Sequence, residues 1–462
     1  MKRATKRPAR RRKGYILLLG ALTTLMILVP ATGLAIDVGL MYLVQTQISA
    51  SADAAVLAGA RALSRGVDDA AQHANAEATA NTFFQADFPP GYLNTTHLSV
   101  VSLATTDDTY LRSVTTTASV DVPLIFMRLF GVSSVSLHSS STATRRDVNI
   151  MIIMDRSGSL ANSGSCMPLK AAAVSFVEKF AEGRDYLGLI TFATSSRVDH
   201  APSTTFKTTV ESTLNTVVCT GATSSAQALW QGYQQLVGLN QQGALNAIVF
   251  FTDGRPTAVT ANYPIKSTST CTSRTPKLGA LTVGYSGTVP QNSMGLYLQD
   301  APAQPFSSDL TLIASRTNCR FASNQSQVSS DVQYAPTTDY WGNSLTATGY
   351  RSTTTSGAGL DIVSGQNVEN FSINAADHAA LRIRRGDPDP SHASQTLPGV
   401  VVFTIGLGSV DDVLLKRMAN DPSLSPNPVA AGRQGRYVYA ADATALDLAF
   451  TRVASEILRL AK

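Results

Sequence analysis

The stretch Val148 to Leu160, VNIMIIMDRSGSL, limits what this chain can fold into more than any other. Ile150 to Met154 has no polar face, so as a strand it must be covered on both sides, as an internal strand of a mainly parallel sheet is. The apolar run stops at Asp155, and Ser157 and Ser159 follow at alternate positions. One carboxylate and two hydroxyls therefore stand at the carboxyl end of a buried strand, the edge at which open α/β sheets bind ligands. A second apolar run, Ala247 to Phe251, ends in the same way on Thr252, Asp253 and Gly254. Between the two lies Thr220-Gly221-Ala222-Thr223-Ser224, ahead of the helical pattern Ala226 to Leu236.

Asp-x-Ser-x-Ser alone carries little information in a serine-rich chain. In this order and in these strand contexts, Asp155, Ser157, Ser159, Thr223 and Asp253 resemble the metal-ion-dependent adhesion site of von Willebrand factor A domains. The resemblance implies an α/β fold, a doubly wound Rossmann-like sheet over residues 147–462, and a bound Mg2+ or other divalent cation. It also implies that the hydroxyls touch the metal, that the aspartates act directly or through water, and that one position stays open to a partner's carboxylate. The donor chemistry agrees, because Mg2+ takes roughly six oxygens but only one or two carboxylates. Two aspartates merely neutralise the ion, so an incoming Glu or Asp is still attracted. The plainer account, in which Ser157 and Ser159 cap the next helix, leaves Thr223 and Asp253 unexplained.

The rest of this region alternates as a doubly wound sheet should. Helices are expected at Lys170–Ala181, Phe206–Val217, Leu414–Ala419 and Ala445–Leu460, and strands at Leu187–Ala193, Arg197–Ala201 (an edge) and Val400–Leu407. Residues 258–398 are far more chain than a crossover needs and read as an insertion that leaves the sheet on the metal face, where it restricts partners. Within it only Ala375–Arg384 reads as helix, and Tyr340 and Trp341 are either partner contacts or a local core.

A formal charge of +5 invites a nucleic-acid reading, which its position refutes. Eight cations and no acid fall in the first 13 residues, and everything after them sums to −3. This tail abuts Tyr15 to Ile36, an uncharged apolar run that as a helix is about 33 Å long and spans a bilayer. We expect residues 15–44 to form a single transmembrane helix in a bacterial inner membrane, with the basic tail 1–14 in the cytoplasm and the bulk of the chain in the periplasm. Pro30 is tolerated in such a helix, and Asp37 is expected at the far interface. A cleavable signal peptide, cut near Gly33-Leu34-Ala35, is the competing reading; against it, apolar character resumes at Gly39, Leu40, Leu43 and Val44. Prepilin-type cleavage after Gly14 is not expected, since Leu19 stands where such segments carry Glu.

From Val44 to Ser64 small residues recur, with Ala50, Ala54, Ala58 and Ala62 spaced by four beside Ser51, Ala55 and Gly59. That spacing either lets a second helix approach closely or reflects helix propensity alone. Ala35-Ile-Asp-Val-Gly39, Tyr42 and Ala52-Asp-Ala-Ala-Val-Leu-Ala-Gly-Ala60 resemble the amino-terminal segment of TadE/TadG-like proteins of the Flp, or tight-adherence, pilus machinery. An adhesion site further along the chain points to the TadG-like branch. Residues 45–146 then read as a helical stalk that breaks at Pro89-Pro90-Gly91, followed by a small pilin-like β region. Its strands are expected at Leu98–Leu103, Val114–Val122 and Val135–Thr144, with a short helix within Ile125–Gly131.

The four cysteines, Cys166, Cys219, Cys271 and Cys319, all follow the membrane segment, where an exported compartment favours disulfides. Three connectivities exist; Cys166 and Cys219 flank loops of the same sheet edge, so we expect Cys166–Cys219 and, inside the insertion, Cys271–Cys319. No zinc-type spacing, nucleophile elbow or phosphate loop occurs, and Asp199-His200 sits on an edge strand without a nucleophile. The expected function is binding rather than catalysis, with no nucleic-acid partner and no small-molecule substrate. Partners would be pilus or secretion-machinery proteins that offer a carboxylate; the alternative is a surface adhesin that binds a host or matrix protein.

Overall fold

The apolar run folds as one helix, and the helix continues past the end of the run. In the computed structural model, which describes residues 13–63, 69–108, 111–242, 244–267, 276–297, 328–346, 350–395, 397–424 and 432–461, helix α1 spans Lys13–Ala62 without a break. Residues 15–32 are exposed throughout, and the most apolar 18-residue stretch has a mean hydropathy of 2.1, long and apolar enough to cross a membrane. From Asp37 onward one face turns inward, burying Asp37, Val44, Ile48, Ala52 and Ala55.

Helix α2 (Asp69–Asp87) lies along that face. A Cβ on Gly59 would come within 3.1 Å of both the Ala76 carbonyl oxygen and the Ala80 methyl, so the absent side chain permits the approach. The stripe that packs is Ala52, Ala55 and Gly59, while Ala50 is exposed. Strands β1 (Thr96–Asp108), β2 (Leu111–Pro123) and β3 (Ser134–Arg146) form a sheet in that order. Val114, Ala118, Val120 and Val122 of β2 close the core against Phe84 of α2 and Phe88 just after it. This first unit closes at Arg145 and a second opens at Arg146.

The second unit is built on a sheet of six strands. In chain order these are β4 (Val148–Asp155), β5 (Tyr186–Phe192), β6 (Ser196–Ser203), β7 (Leu245–Thr252) and, later, β13 (Val401–Leu407) and β14 (Tyr437–Ala440). Their order across the sheet is β14-β13-β7-β4-β5-β6, all parallel except the antiparallel edge β6. Every residue of β4 is buried, and its side chains divide by parity. Ile150, Ile152 and Met154 pack with Leu169 and Phe176 of α4 (Cys166–Val177), Val210 of α5 (Lys207–Thr216) and Phe450 of α10 (Leu446–Leu460). Met151 and Ile153 pack with Trp230 of α6 (Ser225–Leu239), Phe371 of α8 (Gly365–Arg385) and Met418 of α9 (Asp412–Ala419). A short α3 (Gly158–Asn162) follows β4.

Between β7 and α8 the chain forms a second, antiparallel sheet of β8 (Ala258–Tyr263), β9 (Lys277–Ser286) and β10 (Val289–Tyr297), ordered β10-β9-β8. A one-turn α7 (Val328–Asp331) and a two-residue pair, β11 (Thr355–Ser356) and β12 (Gly359–Leu360), complete it. Helix α8 is longer than the expected 375–384 and packs beside α6 and α9. It is therefore the crossover helix of the sheet, and the added chain ends before Gly365 rather than near residue 398. Apolar positions Val368, Phe371, Ala375, Ala379 and Ile383, three or four apart, form its apolar stripe, and polar residues beside them, among them Asn367, Ser372, Asn374 and Asp377, are buried as well.

Candidate metal centre

Neighbouring parallel strands bring the two aspartates together. Asp155 ends β4 in register with Phe192 of β5, and Met154 pairs with Phe251 of β7, one residue before Thr252 and two before Asp253. The three loops at this edge are stitched by backbone hydrogen bonds. Arg156 N donates to the Phe192 carbonyl (2.8 Å), Gly158 N to that of Gly221 (3.0 Å) and Thr220 N to that of Arg156 (2.7 Å). A disulfide joins Cys166, the first residue of α4, to Cys219, the residue before Thr220, with Cα atoms 6.2 Å apart.

Within this frame the side chains form one polar cluster. Asp155 is fully buried and accepts from Ser157 N (2.7 Å) and from the Thr252 hydroxyl (2.6 Å). The Ser157 and Ser159 hydroxyls lie 3.0 Å apart, and both reach Asp253 Oδ1, at 3.5 and 2.6 Å. Thr223 N donates to the Thr257 hydroxyl (3.0 Å), and Thr223 lines the same cavity as Ser157 and Ser159. Burial, and then the nearby Asp253 carboxylate, raise the Asp155 pKa to about 7, and burial raises that of Asp253. Among the described residues neither aspartate has an ion-pair partner. A buried and a half-buried aspartate side by side among hydroxyls, with no ion-pair partner to offset them, suit a hard divalent ion. No group of three or more His, Cys, Asp or Glu side chains converges among the described residues, so the softer ligand sets of zinc and copper find no match there.

The cavity beside these residues has a volume of about 410 Å³, and its opposite wall comes from the added sheet, through Thr282, Val283 and Tyr285 of β9 and Met294 and Tyr297 of β10. That wall is tied to the sheet edge: Glu369 of α8, almost fully buried, accepts from Tyr285 Oη (3.0 Å) and pairs with Arg255 (3.1 Å), two residues past Asp253. Sequence reasoning did not single out Thr252, Thr257 or these wall residues. Thr252 was within reach, since it directly precedes Asp253 on the same strand end; the wall residues needed the fold of the insertion.

Trp341 packs against the core, its carbonyl accepting from Arg382, while Tyr340 is half exposed; neither lines the cavity. Asp199 is held by Thr191 and Arg197, whereas His200 meets Ser203, so the Asp199-His200 dipeptide is not a relay. Cys271 and Cys319 lie outside the described residues.

Two family models match the chain. Residues 14–62 match the putative Flp pilus-assembly TadE/G-like family and residues 150–255 the von Willebrand factor type A domain. No curated protein matches. Among solved structures, the PilB minor pilin from Streptococcus sanguinis is 14% identical at a TM-score of 0.36, covering 80% of this chain and 79% of that one. The von Willebrand factor domain of the type V pili tip protein Mfa5 from Porphyromonas gingivalis is 15% identical at 0.37, covering 69% and 98%. The pilus adhesin SpaC from Lactobacillus rhamnosus GG is 14% identical at 0.35; 79% of this chain matches 35% of SpaC, so the chain spans about a third of that relative. Similarities at this level decide nothing about ligand or partner. With the sequence matches and the six-stranded sheet together, the chain carries a von Willebrand factor type A domain and, at residues 14–62, a segment that matches the putative Flp pilus-assembly TadE/G-like family.

Proposed function

We propose that this chain is a non-enzymatic pilus-assembly protein, anchored by α1 in a bacterial inner membrane, that binds partner proteins in the periplasm through a Mg2+ centre. The observation that carries this reading is the convergence of Asp155, Ser157, Ser159, Thr223 and Asp253 at one sheet edge, on a chain with a TadE/G-like segment. Bound Mg2+ would supply a coordination position that a partner's Glu or Asp can fill. The hydroxyls of Ser157, Ser159 and Thr223 would hold the ion, and the two aspartates would offset its charge. Ser157 N and the Thr252 hydroxyl keep Asp155 oriented, and the disulfide holds the first two loops together. The partners would be pilus or secretion-machinery components.

The test is capture of pilus components by the full chain and by Asp253→Ala, each with and without a chelator. Capture by the wild type in Mg2+ alone is the expected result. Asp253 lies at a strand end outside the core, so the variant should still fold while losing capture. Equal recovery in all four samples would overturn the metal reading. A reporter fusion behind the second unit that is active only in the cytoplasm would overturn the orientation.

A further inference from the structure

The first unit exposes an apolar loop directly beside the membrane segment. After β2, residues 124–132 turn through a 3₁₀ helix, Met127–Phe130, and leave Ile125, Leu129 and Phe130 at 62%, 82% and 69% exposure. Large apolar side chains flanking one cation, Arg128, with no acid, are what a surface lying in a lipid interface presents.

The loop's height along α1 is fixed. The Asp37 carboxylate accepts from three consecutive backbone N–H groups, those of Ile125 (2.9 Å), Phe126 (3.0 Å) and Met127 (2.8 Å). One turn earlier, the Phe126 ring lies against Gly33 so closely that a Cβ there would come within 2.5 Å of it. The clamp thus joins the loop to residues 33–37, where the uncharged run Tyr15–Ile36 ends. At about 1.5 Å per residue, Gly33 lies about 5 Å inside that end, within the depth an interfacial segment reaches.

We propose that residues 124–132 are a second membrane contact, with Ile125, Leu129 and Phe130 in the acyl boundary of the leaflet at the carboxyl end of the span and Arg128 toward the lipid phosphates. The occupant is lipid because the loop is clamped to the last turn of the apolar span, so the slab that covers one reaches the other. The inference rests on reading residues 15–36 as membrane-spanning.

The experiment places one added indole at a time in the full chain, reconstituted in phosphatidylcholine–phosphatidylglycerol vesicles, as Leu129→Trp, Phe130→Trp or, inside the span, Leu25→Trp. Leu129 and Phe130 are exposed, so neither change disturbs a core. Emission gained over the parent, which contains Trp230 and Trp341, is compared between plain lipid and lipid brominated along the acyl chain. The expected result is loss of the added emission for all three, with the loop indoles quenched most by bromine near the headgroup end. Quenching of Leu25→Trp without quenching of either loop indole would overturn the loop contact and leave the anchor standing. No quenching of any of the three would overturn the anchor and the loop contact with it.

Discussion

Each unit holds buried carboxylates, and their surroundings are opposite. Asp37 in α1 accepts three backbone N–H donors, enough to satisfy it where it stands. Asp155 in β4 accepts one N–H and one hydroxyl and faces a second carboxylate, Asp253, whose own partners are serine hydroxyls. Burial is therefore not what marks a site. The mark is negative charge left in excess among small neutral donors, because such charge is costly unless something positive joins it.

The largest effect should come from Asp37→Ala, which leaves three backbone donors without their acceptor. We expect the melting midpoint of the first unit to fall sharply in detergent-solubilised chain, and that of Asp37→Asn, which keeps one acceptor oxygen, to fall less. An unchanged midpoint for the alanine variant would dissolve the contrast. Next is reduction of Cys166–Cys219, which closes a sequence separation of 53. Bridges of that kind contribute about 2–4 kcal/mol, so reductant should lower the melting midpoint of the second unit. The first unit contains no cysteine and should not move.

The smallest effect has the sharpest sign. Asp155 has its pKa raised from the ordinary carboxylate value to about 7, so the folded metal-free protein holds this proton more tightly than the unfolded chain. Its contribution is fully present below the ordinary carboxylate value and is lost as pH rises through about 7. Without metal, the second unit should therefore lose stability over that window, and Mg2+ should restore it only toward the upper end. Asp155→Asn removes the charge and keeps the shape, and at neutral pH should stabilise the metal-free protein by on the order of 2 kcal/mol while abolishing the Mg2+ effect. A destabilised Asn variant, or one that still responds to Mg2+, would show that the pair is structural, as Asp37 is.

Much of this contrast was legible in the sequence on one side only. Asp155 and Asp253 each end an apolar run that must be an internal strand, so both fall at the same sheet edge before any coordinate is known. Asp37 gave no comparable signal, because its three donors lie nearly ninety residues away and backbone donors have no sequence signature. The small-residue stripe of α1 was readable, but its exact face was not. Ala50 and Ala54 share the spacing of Ala58, and only the position of α2 selects Ala52, Ala55 and Gly59. The wall opposite the two aspartates lay in a Ser- and Thr-rich stretch whose hairpin signal, Ser286-Gly287 between apolar runs, is short. The crossover helix α8 was underestimated because Gly, Asn and Ser in its first half weaken the local propensity that burial then overrides.

The unbroken course of α1 has a mechanical consequence. Fifty residues of helix make a rod about 75 Å long, its first part bare and its second bound along α2 and the sheet. Between the two there is neither a linker nor a glycine in a left-handed turn to act as a joint. A pull on the first unit is therefore delivered along the rod to its bare end without slack, and a tilt of that end swings the other as a lever does.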